Sequence, residues 1–245
     1  MASQQDLLLA ILSMDAYNRG TDSPGMAIAS PTWQGGVTGT ATAFSPEAKN
    51  SGFFAVSYHL SNGLTVISYR GTKGDGIIGP NATEIRTGWF LSLGFNTASQ
   101  PQQALAYYNQ IVSGAGGPAN VILTGHSLGG GLAGFVADLY GVQADVFDNI
   151  PFGDAVVEES LSNSSLSLPL SSHTVSQFTV AGEIASYLRG YSLVAALGSV
   201  KSAYGAYLDN STSSNSQTFS SYSGSLSSFQ LHSASLNVLL MDAQL

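Results

Sequence analysis

The spacing of apolar and polar residues predicts a helix and then a hairpin in the first third of the chain. Apolar residues recur at i, i+1, i+4 and i+5 before Gly20, which is typical of a short amphipathic helix with a glycine cap; they are Leu7, Leu8, Ile11 and Leu12. Residues 21–51 are rich in Gly, Ser, Thr and Pro and indicate loops or edge strands. Two apolar runs, GFFAVSYHL and LTVISYRGT, then flank Asn62-Gly63, a strong signal for a β-hairpin.

Further along, helical and strand-like patterns alternate. A helical pattern begins near Pro101, and NVILTG predicts a buried strand that runs into a helix of small residues, LGGGLAGFVADLYG. ADVFDNIPFG and SQFTVAGE are the next strand candidates, while Ser-rich tracts near 160–173 and 210–228 indicate surface loops. This order predicts one α/β domain over residues 1–245, with a mostly parallel central sheet and helices on both faces.

Composition narrows the class of protein. The chain is 44% hydrophobic and only 9% charged, which indicates a folded domain, and its formal net charge is −8. Its seven Lys and Arg residues are scattered, so nucleic acid is a poor candidate partner and an anionic membrane surface would not attract the chain. It contains no Cys, which excludes disulfides, thiolate metal sites and a Cys nucleophile.

The sequence also bears on location. MASQQDLLLAIL has no basic segment before its apolar residues, so we recognise no signal peptide. No apolar run reaches the roughly 18–20 residues that a membrane span needs. We therefore expect a soluble protein without a transmembrane segment, in the cytoplasm or exported by a signal-independent route.

The most informative motif is Gly125-His126-Ser127-Leu128-Gly129, which matches G-x-S-x-G between a predicted strand and a predicted helix. In that context the pattern is typical of a nucleophile elbow, where glycines make room for a strained serine. The backbone N–H of Leu128, at the start of the helix, would face a developing oxyanion. A plain glycine-rich turn is the alternative.

An activated serine needs a base, and four histidines are available. We expect His126 to point away across the elbow, and His59 precedes the serine in a strand, against the order serine, acid, histidine of α/β-hydrolases. His173 lies at the end of a Ser-rich loop, which suggests a solvated side chain. His232 opens the last apolar segment and is the predicted base.

The acid that orients the base must also follow Ser127. Glu183 comes directly after a predicted strand, at the sheet edge where active sites form. Asp148 and Asp154 follow the preceding strand and remain rivals. A carboxylate of either type can hold an imidazole and stabilise its cation.

VISYRGT (66–72) and VILTGHSLGGGLA (121–133) resemble the class 3, fungal-type lipases, a family of α/β-hydrolases. The resemblance implies that Thr72 supplies one oxyanion-hole N–H and Leu128 the other. It also implies an acid some fifty to sixty residues after the serine and a histidine a similar distance further. Glu183 and His232 fit that spacing, and Asp148 does not.

The resemblance further implies a lid or cap after the Arg-Gly pair, although no matching lid sequence is evident. Apolar candidates for a substrate or lid surface are Ile77, Ile78, Trp89, Phe90 and Leu91. A second apolar segment, 187–208, is more typical of a core or cap helix than of an interfacial lid.

These features together predict a carboxylic ester hydrolase of the lipase or esterase type, acting on apolar acyl esters through Ser127, His232 and Glu183. We expect no metal and no cofactor, a lipid or other ester as substrate, and transient contact with a lipid interface. Phospholipase A1 or polyester depolymerase activity with the same residues is one alternative. A non-catalytic binding module on the hydrolase fold is another.

Overall fold

The computed structural model describes residues 2–20, 36–46, 51–72, 99–163, 175–183, 216–219 and 228–245. The lid candidates Ile77, Ile78, Trp89, Phe90 and Leu91, like the apolar segment 187–208, lie outside these residues.

The described strands form one sheet in which neighbours in the chain are neighbours in space. The first three strands pair antiparallel, with the predicted hairpin at Asn62-Gly63 joining the second to the third, and each later strand pairs parallel to the one before. The strands are β1 (Gly39–Phe44), β2 (Ala55–Leu60), β3 (Thr65–Tyr69), β4 (Val121–His126), β5 (Gln143–Phe147), β6 (Val175–Val180) and β7 (Ser216–Phe219).

Helices cover both faces of this sheet, as the sequence predicts. Alternate strand residues face opposite sides, so Ile67 and Leu123 lie in one core while their neighbours Val66 and Ile122 lie in the other. The first core packs under α2, α3 and α4, and the second under α1 and α6. The helices are α1 (Gln4–Asp15), α2 (Ser99–Gly114), α3 (Leu128–Tyr140), α4 (Gly153–Ser162), α5 (Ser228–Leu231) and α6 (Ala234–Asp242).

Local sequence explains where the key helices begin and end. Ser3 and Asp6 form a reciprocal capping box at the start of α1, and Gly141 closes α3 in the left-handed conformation. None of the described helices is both long and apolar enough to cross a membrane.

Because β4, β5 and β6 run parallel, their carboxyl ends meet at one edge, which brings Ser127, Asp148 and Glu183 together.

Candidate active site

Ser127 stands at a sharp turn between β4 and α3. Its φ of 59° and ψ of −123° lie outside the regions that L-residues favour, and its N–H donates to the Phe147 carbonyl at 2.9 Å. A Cβ atom at Gly125 would collide with the Gly129 carbonyl, and one at Gly129 would collide with the Tyr69 carbonyl. The glycines of the motif are therefore required by close backbone approach, as expected for a nucleophile elbow.

The segment after β3 lies directly against this elbow. Tyr69 pairs with Gly125 in the parallel ladder, and a Cβ atom at Gly71 would come within 2.6 Å of the His126 carbonyl. Thr72 follows as a half-buried residue, while Leu128 is buried at the first position of α3. The two residues predicted to supply oxyanion N–H groups thus belong to segments that meet at Ser127.

Three predicted site residues are in hydrogen-bond contact. The Ser127 Oγ atom lies 2.8 Å from Nε2 of His232, and Nδ1 of the same ring lies 2.5 Å from Oε2 of Glu183. With its proton on Nδ1, the imidazole donates to the carboxylate and accepts from the hydroxyl. All three residues are buried, so bulk water screens these contacts weakly.

Glu183 and His232 come from the ends of later elements. Glu183 ends a turn after β6, where Gly182 takes a φ of 81° and the Glu183 N–H donates to the Val180 carbonyl at 3.2 Å. His232 lies between α5 and α6, the loop before the last helix where the sequence predicts the base. At the carboxyl edge of the sheet, His232 therefore reaches Ser127 and Glu183 reaches His232.

The rival acids occupy different positions. Asp154 lies in the first turn of α4. Asp148, at the end of β5, accepts a hydrogen bond from the Val180 N–H at 2.8 Å and another from Nδ2 of Asn237 at 2.6 Å. Burial, reinforced by the nearby charge of Glu183, raises the pKa of Asp148 to about 7. Thus Glu183 contacts Nδ1 of His232, whereas Asp148 contacts the Val180 N–H and Asn237.

His126 differs from its prediction. Its ring does not leave the site, because its centroid is 4.8 Å from that of His232. The Tyr17 hydroxyl lies 3.0 Å from Nδ1 of His126 and 3.3 Å from its carbonyl. Burial raises the pKa of Tyr17, so this hydroxyl keeps its proton. Tyr17 follows α1, 109 residues before His126, and no local pattern signals the contact.

One side-chain group among the described residues has the spacing of a metal site. His126, Asp148 and His232 each offer a ligand atom, all within 4.8 Å of one another. A cation there would compete with Ser127 or Glu183 for a His232 nitrogen, because both ring nitrogens already lie at hydrogen-bond distance from those residues. The donors therefore fit a proton relay better than a resident metal.

A cavity of about 220 Å³ lies elsewhere, between α1 and the first strands. Leu8, Leu64 and Ile122 are among its lining residues. Ile122 is near the start of β4, whereas Ser127 follows the end of that strand, so this cavity is at the edge opposite the site.

A strained serine between β4 and α3, on a mostly parallel sheet flanked by helices, defines the α/β-hydrolase fold. A family model described as a Tle-like phospholipase domain, phospholipase-like, matches residues 8–234. The chain belongs to this family, and the prediction of a lipase-like α/β-hydrolase is confirmed. No curated protein matches the sequence.

Solved structures give distant likenesses. A mutant form of MDLA from Penicillium cyclopium is 10% identical with a TM-score of 0.42, covering 73% of this chain and 71% of that one. The Rhizomucor miehei lipase in its propeptide complex is 15% identical with a TM-score of 0.42, covering 76% and 64%. An esterase of the bacterial hormone-sensitive lipase family is 9% identical with a TM-score of 0.35, covering 99% and 98%.

Proposed function

We propose that this chain is a serine carboxylic ester hydrolase that cleaves apolar acyl esters, with Ser127 as nucleophile, His232 as general base and Glu183 as the acid that holds the base. The observation that carries the proposal is the continuous hydrogen-bonded series from Ser127 Oγ through both His232 nitrogens to Glu183. An activated serine requires this arrangement of nucleophile, base and orienting group.

In the first step, Ser127 Oγ attacks the ester carbonyl while His232 Nε2 takes the hydroxyl proton. The carbonyl oxygen becomes an oxyanion, which the N–H groups of Leu128 and Thr72 stabilise, at about 3 kcal/mol for each donor. The resulting imidazolium, held by Glu183, gives its proton to the leaving alcohol, and an acyl-enzyme remains. Water then attacks this ester with His232 again as base, releasing the carboxylic acid and restoring Ser127.

The family match favours one class of substrate. Since the family is described as phospholipase-like, we propose acyl esters of phospholipids as the first substrates to test, ahead of triacylglycerols and polyesters. The same chemistry serves all three, so only the surface that receives the acyl chain and head group distinguishes them.

Kinetics of matched serine variants test this function. Ser127→Ala should lower kcat/KM for p-nitrophenyl esters by about 10⁴-fold or more at unchanged melting temperature. Ser235→Ala, which alters an exposed serine on α6, should retain the activity of the wild type. A Ser127→Ala variant with wild-type turnover would contradict the nucleophile assignment.

A substrate panel tests the class of ester. Phosphatidylcholine vesicles, emulsified triacylglycerols, polyester particles and short soluble esters should be compared at equal ester concentration. Release of fatty acid from vesicles at the highest rate supports the phospholipid assignment, and a preference for short soluble esters contradicts it. An inactive chain that binds lipid without turnover would instead support a binding module.

A further inference from the structure

The end of β5 holds a carboxyl group that the proposed reaction does not use. Asp148 is fully buried, and its φ of 42° is left-handed. Its own N–H donates to the Phe178 carbonyl at 2.8 Å, which ties its backbone to β6. A buried carboxyl in such a conformation is costly unless the structure around it gains from its contacts.

The contacts of Asp148 join two separate segments. Oδ1 accepts from the N–H of Val180, three residues before Glu183, and Oδ2 accepts from Nδ2 of Asn237, five residues after His232. One side chain therefore bridges the turn that carries the acid and the helix that follows the base. Both contacts join distant parts of the chain, since Val180 lies 32 residues after Asp148 and Asn237 lies 89 residues after it.

We propose that Asp148 is a positioning residue, which fixes Glu183 relative to His232 by clamping the Val180 turn to α6 through Asn237. The inference rests on the proposed hydrolase function. A shift of an ångström between catalytic groups can cost about 100-fold in rate, so loss of the clamp should lower kcat more than it raises KM.

Charge gives the proposal a second readout. The groups that face Asp148 are Glu183 after β6, His232 before α6 and His126 on β4. Burial and the nearby charge of Glu183 raise the pKa of Asp148 to about 7, and a carboxylate accepts stronger hydrogen bonds than a carboxylic acid. The clamp should therefore tighten, and kcat should rise, as Asp148 loses its proton near pH 7. Asp148→Asn cannot titrate and should lack this component of the pH profile, whereas a residue with no effect on catalysis would leave the profile unchanged.

Three variants test the clamp, each with kcat counted per site that reacts with a fluorophosphonate. Asp148→Gly keeps the left-handed backbone accessible but removes both hydrogen bonds, and its kcat should fall about 10- to 100-fold with KM within about threefold. Asn237→Ala removes one bond and should lose about 3- to 10-fold. Asp148→Asn keeps an acceptor for Val180 and should recover most of the kcat that Asp148→Gly loses, while its pH profile should lack the component near pH 7.

Asp242→Asn, the same exchange at an exposed carboxylate at the end of α6, is the matched control and should leave kcat and the pH profile unchanged. Wild-type kcat per reactive site in Asp148→Gly, with the pH profile of the wild type in Asp148→Asn, would overturn the proposal. If Asp148→Gly does not fold, Asn237→Ala and the Asp148→Asn profile decide alone. Failure of the hydrolase proposal is distinguishable, because it would appear as turnover that Ser127→Ala retains.

Discussion

The carboxyl ends of β4 and β5, which pair in parallel, each place a non-glycine residue at positive φ: Ser127 at 59° and Asp148 at 42°. They are the two such residues in the part of the chain that the structure describes. The backbone at Ser127 is the more strained, because its ψ of −123° is outside the left-handed helical region that Asp tolerates. Such conformations cost about 1–3 kcal/mol each.

The surroundings of the two residues differ. Ser127 has glycines two positions away on either side, and its hydroxyl contacts His232. In contrast, the two carboxyl oxygens of Asp148 accept hydrogen bonds from the Val180 N–H and from Nδ2 of Asn237. The strained turn after β4 places the Ser127 hydroxyl 2.8 Å from Nε2 of His232. Strain at the second lets one side chain connect two elements that are distant in sequence. The ends of β4 and β5 therefore share a positive φ, but the side chains at these two positions make different kinds of contact.

The largest expected effect is on turnover, and it distinguishes the carboxyl group of Glu183 from that of Asp148. Glu183→Gln should lower kcat/KM by about 10³- to 10⁴-fold, since the amide no longer stabilises the imidazolium or fixes its tautomer. Asp148→Asn should lose less than about tenfold at pH 8. Steady-state kinetics on a soluble ester measure both. A near-silent Glu183→Gln, or a larger loss in Asp148→Asn, would reverse the roles of the two acids.

A stability effect of intermediate size compares the two strained positions directly. Ser127→Gly relieves strain and loses one hydrogen bond, so its melting temperature should stay within about 2–3 °C of the wild type or rise. Asp148→Gly relieves strain too but loses two buried hydrogen bonds, and should melt at least about 5 °C lower. Thermal unfolding followed by circular dichroism checks both values, and equal destabilisation would contradict the comparison.

The smallest expected effect is the pH dependence of stability that arises from Asp145, a buried acid on β5. Burial, with Asp6 of α1 close by, raises the pKa of Asp145 to about 8. The folded chain therefore keeps a proton that the unfolded chain releases near pH 4, and stability should fall as pH rises from about 4 to 8. Asp148, with its pKa raised to about 7, should also lower the stability of the folded chain as the pH rises from about 4 to 7.

Asp145→Asn should flatten this dependence, raising the melting temperature by a few degrees at pH 9 and little at pH 5. Melting curves across that range, with Asp242→Asn as the control, measure the effect. A slope equal to that of the wild type would show that Asp145 is ionised in the folded protein throughout.

Much of the fold could be predicted because its signals are local. The helix before Gly20, the hairpin at Asn62-Gly63 and the strand, turn and helix around Ser127 each depend on residues adjacent in the chain. The mostly parallel α/β sheet was predictable from the order of these elements, and the α/β-hydrolase family from the resemblance of two motifs to the class 3 lipases; both predictions are confirmed. The position of His232 before the last helix was predictable for the same reason, since α6 is marked by its own apolar residues.

Contacts across long separations could not be predicted. The sequence offers Asp148 only as a rival acid, because nothing near it indicates Asn237 as its partner. His126 was expected to point away, because the sequence does not reveal that Tyr17 holds its ring on the side of His232. Such pairings depend on how α1 and α6 pack on the sheet, which only the folded chain shows.

Every other role in the proposed reaction depends on Ser127 as the activated nucleophile. A fluorophosphonate tests it directly, because attack by Oγ forms a phosphorus–oxygen bond and expels fluoride, leaving a stable adduct. After digestion, mass spectrometry should find the adduct on Ser127 of the wild type, with no adduct in Ser127→Ala and strongly slowed labelling in Glu183→Gln. Labelling at another serine, or an active wild type that does not label, would contradict the account.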